Sequence, residues 1–138
     1  MPFVYKRTVR FAEVDAAKVM YFSRVYELAH ETYEELMSAS GFPPGQVFEQ
    51  GDWGMPLVHT EADYKRPWRL GEVIHIQAEI ATASERSVVF EYRFMDGDGH
   101  VRTRVGMRHA FVSLSTFRSC EAPEGLLDAL ALQAGSAD

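Results

Sequence analysis

Residues 11–37, FAEVDAAKVMYFSRVYELAHETYEELM, carry the densest potential chemistry of the chain. One carboxylate, Asp15, stands before a small-residue turn through Ala16, Ala17 and Lys18. The aromatic pair Tyr21 and Phe22 follows, and then the longest helical pattern in the sequence. A carboxylate just before a helix start lies close to backbone N–H groups that have no intrahelical partner. An ordinary aspartate is ionised at neutral pH, so Asp15 suits the role of base or nucleophile. N–H groups near Tyr21 and Phe22 would then polarise a carbonyl, an effect typically worth a few kcal/mol. The competing role is structural, because most aspartates at such positions cap the helix or its lead-in turn.

Two other groupings invite a chemical reading. His30-Glu31-Thr32-Tyr33-Glu34 follows the zinc pattern H-E-x-x-H until its last position, where Glu34 replaces the second imidazole. His59, His75, His100 and His109 stand singly without ligand spacing, so no metal site is expected. The basic residues Lys65, Arg66 and Arg69, then Arg86, then Arg102, Arg104 and Arg108 fall on successive strand segments. A solvated strand face is their default role, and binding of a phosphorylated ligand is the functional one.

The elements that must position these residues follow from periodicity. Residues 3–11 alternate, with Phe3, Tyr5, Val9 and Phe11 on one face, which Arg7 interrupts. From about Val19 the period lengthens, and Phe22, Val25, Tyr26, Ala29, Tyr33, Leu36 and Met37 form an apolar helical stripe. Arg24, Glu27, Glu31, Glu34 and Glu35 lie opposite. Gly41, Pro43 and Pro44 stop this helix. Residues 40–54 read as a loop with one helical turn near 46–49. Strands are expected at 57–64, 73–81, 87–95 and 101–115, with Asp96-Gly97-Asp98-Gly99 as a hairpin turn. A short helix at 125–132 and a frayed tail close the chain. The pattern is α+β: an antiparallel sheet packed against one long helix.

The 138 residues are expected to form one domain, 1–138. A net charge of −6 argues against a nucleic-acid partner. The lone Cys120 favours a reducing, cytoplasmic setting. No apolar run approaches membrane-span length, so no membrane partner is expected.

The run Asp15-Ala-Ala-Lys-Val-Met-Tyr21-Phe22 resembles the active-site segment of hotdog-fold acyl-CoA thioesterases of the 4-hydroxybenzoyl-CoA thioesterase type. The segment Gly51-Asp-Trp-Gly-Met-Pro56-Leu-Val-His59 is similar to the family's entry into its second strand. With Tyr21-Phe22, His30-Glu31 and Tyr33-Glu34, the likeness runs over residues 3–115 and is nearest to 1,4-dihydroxy-2-naphthoyl-CoA thioesterases. The resemblance implies a curved antiparallel sheet of about five strands wrapped around one long central helix. It also implies hydrolysis of a coenzyme A thioester, with an aromatic acyl group such as 1,4-dihydroxy-2-naphthoyl or 4-hydroxybenzoyl. The alternatives are short or medium aliphatic acyl groups, or a non-catalytic acyl-CoA-binding module. Asp15 would supply the carboxylate, as nucleophile or general base, and the helix start near Tyr21 and Phe22 the oxyanion donors. Tyr26, His30, Tyr33, Trp53 and His59 would face the acyl group, and Lys65, Arg66, Arg69 and Arg86 the phosphates of coenzyme A. No cofactor beyond the substrate's own coenzyme A is implied, and the assembly would be a homodimer or a dimer of dimers. Hydratases of this fold carry a histidine five residues after their aspartate; Met20 occupies that position here. One departure stands out: Lys18 replaces the usual glycine, which strains the turn if its φ is positive.

Overall fold

Alternation is cleanest in the middle of the sheet, where Ile74, Ile76, Ala78 and Ile80 on one strand and Val88, Phe90, Tyr92 and Phe94 on the next are all buried. The computed structural model describes residues 2–135, the side chains of residues 48 and 50 excepted. Its strands are β1 (Phe3–Thr8), β2 (Leu57–Tyr64), β3 (Val73–Ser84), β4 (Ser87–Met95) and β5 (Val101–Ala110). They form one antiparallel sheet in the order β1-β3-β4-β5-β2. The helices are α1 (Arg24–Ala39), α2 (Pro44–Gln50) and α3 (Leu126–Ala134). The curved sheet wraps α1, whose Val25, Leu28, Ala29, Leu36 and Met37 join the sheet's inner residues in one core. This is the expected hotdog arrangement. Gly41, at φ 89°, takes the left-handed conformation that ends α1, and the Phe42 N–H returns to the Met37 carbonyl at 2.9 Å.

Several expected boundaries move, each for a local reason. The helix begins at Arg24 rather than near Val19, because Val19 and Met20 are drawn into bridges: Val14 with Met20, and Val19 with Arg69. Phe22, expected in the apolar stripe, therefore precedes the helix and is exposed. The first strand stops at Thr8, and Phe11 opens a 3-10 turn (Phe11–Glu13), where its ring is 80% exposed. The last strand stops at Ala110, after which Val112 pairs with Gly54 and Ser119 instead. The helical turn near 46–49 is α2, and the terminal helix reaches Ala134. The tail expected beyond Gly135 lies outside the described residues.

The largest correction concerns Arg7 and Glu31. Arg7 interrupts nothing. It is buried, and its guanidinium grips Glu13 at 2.8 and 2.6 Å and Glu31 at 3.0 and 3.1 Å. Glu31, expected on the solvent side of the helix, is thus half-buried in an ion network, where it also accepts from the Tyr5 hydroxyl at 3.0 Å. A buried guanidinium is tolerated only when its fork is filled in this way.

The sheet is finished unevenly. The central strands are covered on their inner face, whereas β2 exposes nearly every residue on both faces and forms one edge of the sheet. Leu57, Val58 and Tyr64 on it remain open to solvent.

Candidate active site

Asp15 does not cap the helix. It opens its own tight turn: Oδ1 accepts from the Ala17 N–H at 2.8 Å, and its carbonyl accepts from the Lys18 N–H at 2.9 Å. The Asp15 N–H donates to the Val19 carbonyl at 3.0 Å, closing the loop just inside the Val14–Met20 bridge. This is the lead-in-turn form of the capping role. Yet the carboxylate is exposed, and its second oxygen has no partner among the described residues. Lys18 adopts φ 68°, so the turn does need the left-handed conformation that a side chain disfavours.

The donors at the helix entry resolve into two used and two unused. The Tyr21 N–H, expected as an oxyanion donor, is engaged by the Glu13 carbonyl at 2.9 Å. The Tyr21 carbonyl accepts from the Arg24 N–H at 3.0 Å. Because a trans peptide points its N–H opposite its carbonyl, the Phe22 N–H is directed away from the helix. The Phe22 carbonyl in turn accepts from the Tyr64 hydroxyl at 2.7 Å, so by the same rule the Ser23 N–H points away from Tyr64. Among the described residues neither the Phe22 nor the Ser23 N–H donates to a protein acceptor. Unpartnered N–H groups at a helix entry are suited to binding a developing anion.

Phe22, Val25, Tyr64, Lys65, Arg66, Pro67 and Trp68 line a cleft of about 330 Å³ beside these donors; Asp15 lies outside it, beyond the Val14–Met20 bridge. Tyr26, on the first turn of α1, neighbours Tyr64, whose hydroxyl pKa is raised by burial and by the Tyr26 hydroxyl. Arg69 is tied to Val19 by a bridge, so Lys65, Arg66 and Arg69 gather on this side of the molecule. Arg102 and Arg104 are not available to a ligand in the same way. Arg102 sits between Asp96 and Glu72, both at 2.9 Å, and stacks 4.5 Å above the Trp68 ring. Arg104 bonds Glu91 at 2.6 Å and Asp63 at 3.1 Å.

The remaining candidates lie elsewhere. Arg86 stands in the β3–β4 turn with His59, Arg108 and Ser119, lining a shallow basin at the other end of β2. Six residues of strand separate the two ends, on the order of 20 Å. The four expected phosphate ligands are therefore two groups within one protomer, not one. His30 and Trp53 line a third feature, an apolar cavity of about 460 Å³ under the second half of α1. Tyr33, Met37, Met55 and Phe117 share its walls. Burial raises the Tyr33 hydroxyl pKa to about 12, so it stays protonated and able to donate. The Tyr33 ring stacks on buried His109, 4.8 Å between centroids, and the His109 Nδ1 donates to the Met55 carbonyl at 2.8 Å. Within one protomer, then, Tyr26 joins the Phe22 side, while His30, Trp53 and His59 do not.

Reading the sequence missed four contributors. Tyr64 gave no signal beyond ending an alternating strand. Arg7 looked like an interruption of a pattern, and Glu13 drew no reading at all. Asp52 accepts from the Ser113 and Ser115 hydroxyls at 2.7 and 2.8 Å and from the Ser115 N–H at 2.7 Å. Those bonds pin the 113–117 turn to the loop before β2 and complete the cavity wall with Leu114 and Phe117.

Comparison with known proteins identifies the family of the chain. The family model of the thioesterase-like superfamily matches residues 9–130. A 1,4-dihydroxy-2-naphthoyl-CoA hydrolase of Prochlorococcus marinus is 33% identical over 122 residues, covering 83% of this chain and 78% of its own. Another of that name, from Synechococcus elongatus, is 30% identical over 131 residues, covering 94% and 96%. The crystal structure of a 1,4-dihydroxy-2-naphthoyl-CoA thioesterase from Synechocystis superposes with a TM-score of 0.88 at 25% identity, over 95% of this chain and 96% of that one. A Staphylococcus aureus protein solved in complex with CoA shares the fold at 15% identity, with a TM-score of 0.88 over 96% and 84%. The chain belongs to the thioesterase-like superfamily and is a hotdog-fold acyl-CoA thioester hydrolase.

Proposed function

We propose that this enzyme hydrolyses aromatic acyl-CoA thioesters of the 1,4-dihydroxy-2-naphthoyl or 4-hydroxybenzoyl kind, with Asp15 as the reacting carboxylate and the Phe22 N–H as oxyanion donor. The observation that carries the reading is an exposed carboxylate with a free oxygen on the hairpin closed by the Val14–Met20 bridge, followed two residues past that bridge by an unpartnered N–H directed away from the helix. The thioester carbonyl oxygen accepts from Phe22, with Ser23 adjacent. Asp15 either attacks the carbonyl carbon or takes a proton from an attacking water. In both routes the C–S bond breaks and the sulfur leaves as coenzyme A thiolate; in the first, water then hydrolyses the mixed anhydride on Asp15 to release the acid and restore the carboxylate. Lys65, Arg66 and Arg69 stand near enough to the cleft to meet phosphates. The substrate class is supported by the two relatives named 1,4-dihydroxy-2-naphthoyl-CoA hydrolase and by the aromatic walls of the Trp53 cavity.

The working unit in this reading is a homodimer or a pair of dimers. The free edge of β2 supports an antiparallel, two-fold pairing of β2 with its copy. Such pairing sets the Tyr64 end of one protomer beside the Leu57 end of the other. The partner's cavity and basin then approach the Asp15 hairpin, which unites residues that a single protomer holds apart. No described helix is long and apolar enough to cross a membrane, and the lone cysteine fits a cytoplasmic setting.

A thiol-release assay tests the substrate. The expected result is a kcat/KM at least about tenfold higher for 1,4-dihydroxy-2-naphthoyl-CoA and 4-hydroxybenzoyl-CoA than for hexanoyl-CoA, the scale of one well-matched pocket contact. Equal or faster turnover of the aliphatic thioester overturns the aromatic assignment. Tight binding of a non-hydrolysable thioester without any thiol release would make the protein a binding module.

A further inference from the structure

We propose that Glu13 is a positioning residue for thioester cleavage, held by Arg7 so that its backbone carbonyl aims the oxyanion donor. This rests on the assignment of Asp15 and Phe22 above. Glu13 is buried, two residues before Asp15, and its side chain and main chain do separate work. The carboxylate receives two Arg7 bonds, at 2.8 and 2.6 Å, and the Arg10 N–H at 2.8 Å. The carbonyl receives the Tyr21 N–H at 2.9 Å. Arg7 belongs to β1 and also grips Glu31 on α1, so one guanidinium ties the sheet, the 3-10 turn and the helix together.

The chain of contacts leads directly to the reacting groups. The bond to the Glu13 carbonyl anchors the Met20–Tyr21 peptide; the next peptide is held by the Tyr21 carbonyl accepting from the Arg24 N–H at 3.0 Å, and its own N–H, that of Phe22, points the opposite way. A second strap, from the Arg24 guanidinium to the Ala12 carbonyl at 3.2 Å, joins the same two segments. Burial alone would raise the Glu13 pKa, but the Arg7 and Arg10 donors outweigh it and hold the carboxyl below its ordinary value. A buried ion network of this kind is weak evidence for stability, since apolar replacements often fold as well or better. Its value lies in specifying one geometry, and oxyanion stabilisation depends on geometry: a misplacement of about 1 Å can lower turnover about a hundredfold.

The test compares Glu13→Gln with the apolar double variant Arg7→Met/Glu13→Met, assayed beside Asp15→Asn with an aromatic acyl-CoA. Positioning predicts that kcat falls about 10- to 100-fold in whichever Glu13 variant folds cooperatively, with KM within about twofold of wild type. Glu31→Gln leaves the Arg7–Glu13 pair in place and should keep kcat within about threefold. Wild-type kcat in a folded Glu13 variant, or a loss in Glu31→Gln as large as in Glu13→Gln, overturns the proposal. Should neither Glu13 variant fold, hydrogen exchange on the wild-type protein decides: the Tyr21 amide must be protected like the core of α1. Exchange as fast as that of Ala16 and Ala17 overturns it. An inactive Asp15→Asn beside fully active, folded Glu13 variants defeats only the positioning role, whereas an active Asp15→Asn defeats the mechanism beneath it.

Discussion

Two aspartates each open a tight turn, and they end in opposite surroundings. Asp15 takes one bond, from the Ala17 N–H, and leaves its carboxylate in solvent. Asp96, at the β4–β5 hairpin, is buried; it accepts from the Asp98 and His100 N–H groups, each at 3.0 Å, and from the Arg102 Nε at 2.9 Å. Both follow the habit of aspartate bonding its own backbone two residues on. The difference lies in what surrounds the second oxygen. A saturated carboxylate is a structural fixture; one with an unused oxygen is what the proposed mechanism requires of Asp15.

Exchanging each side chain for its amide breaks this comparison most strongly. Asp15→Asn should lower thioester hydrolysis about 10²- to 10⁴-fold with the melting temperature unchanged within a degree or two. Near-wild-type turnover in that variant would remove Asp15 from the chemistry. Asp96→Asn should do the reverse, lowering the melting temperature by several degrees at nearly constant kcat in the folded protein. The His100 N–H and the Arg102 guanidinium hold the Asp96 carboxyl down at about 2. Its contribution to stability is therefore complete above the ordinary aspartate range and is lost as pH falls through about 4 toward 2. Urea titrations of wild type and Asp96→Asn should converge at the acid end of that window. Divergence there would mean that Asp96 acts by something other than its charge.

A smaller effect comes from the backbone of the two turns. The hairpin places Gly99 at φ 83°, where glycine is at ease; the Asp15 turn places Lys18 at φ 68°, where a side chain is not. Lys18→Gly should relieve that strain but loosen the unfolded chain, for a net gain below about 1 kcal/mol. Chemical denaturation resolves the sign. A clear loss of stability would show that the lysine side chain holds the turn by contacts of its own.

The same two turns show what a sequence reading reaches. The hairpin was legible because turn-forming residues sit between two alternating strands, and β4 runs over the residues that alternation marks out. The Asp15 segment was legible as a location but not as a geometry. Val19 and Met20 continue the helical spacing of apolar residues, yet Met20 donates its N–H to Trp68, 48 residues on, at 2.7 Å. Periodicity cannot register a bridge to a distant segment. Arg7 was opaque for a related reason: its partners Glu13 and Glu31 lie 6 and 24 residues away, and only folding brings them to one guanidinium. The grouping of the residues expected to face the acyl group was hidden more deeply. Trp53 and His30 share a wall that depends on Asp52 reaching Ser113 and Ser115 across the chain.

The bond from the Tyr64 hydroxyl to the Phe22 carbonyl links the open edge strand to the entry of α1. In the proposed mechanism, whatever engages that strand also bears on the segment that carries Phe22. With the proposed pairing, specific activity becomes a function of protein concentration: dilution alone would silence the enzyme while every protomer stays folded, and restoring the concentration would restore turnover.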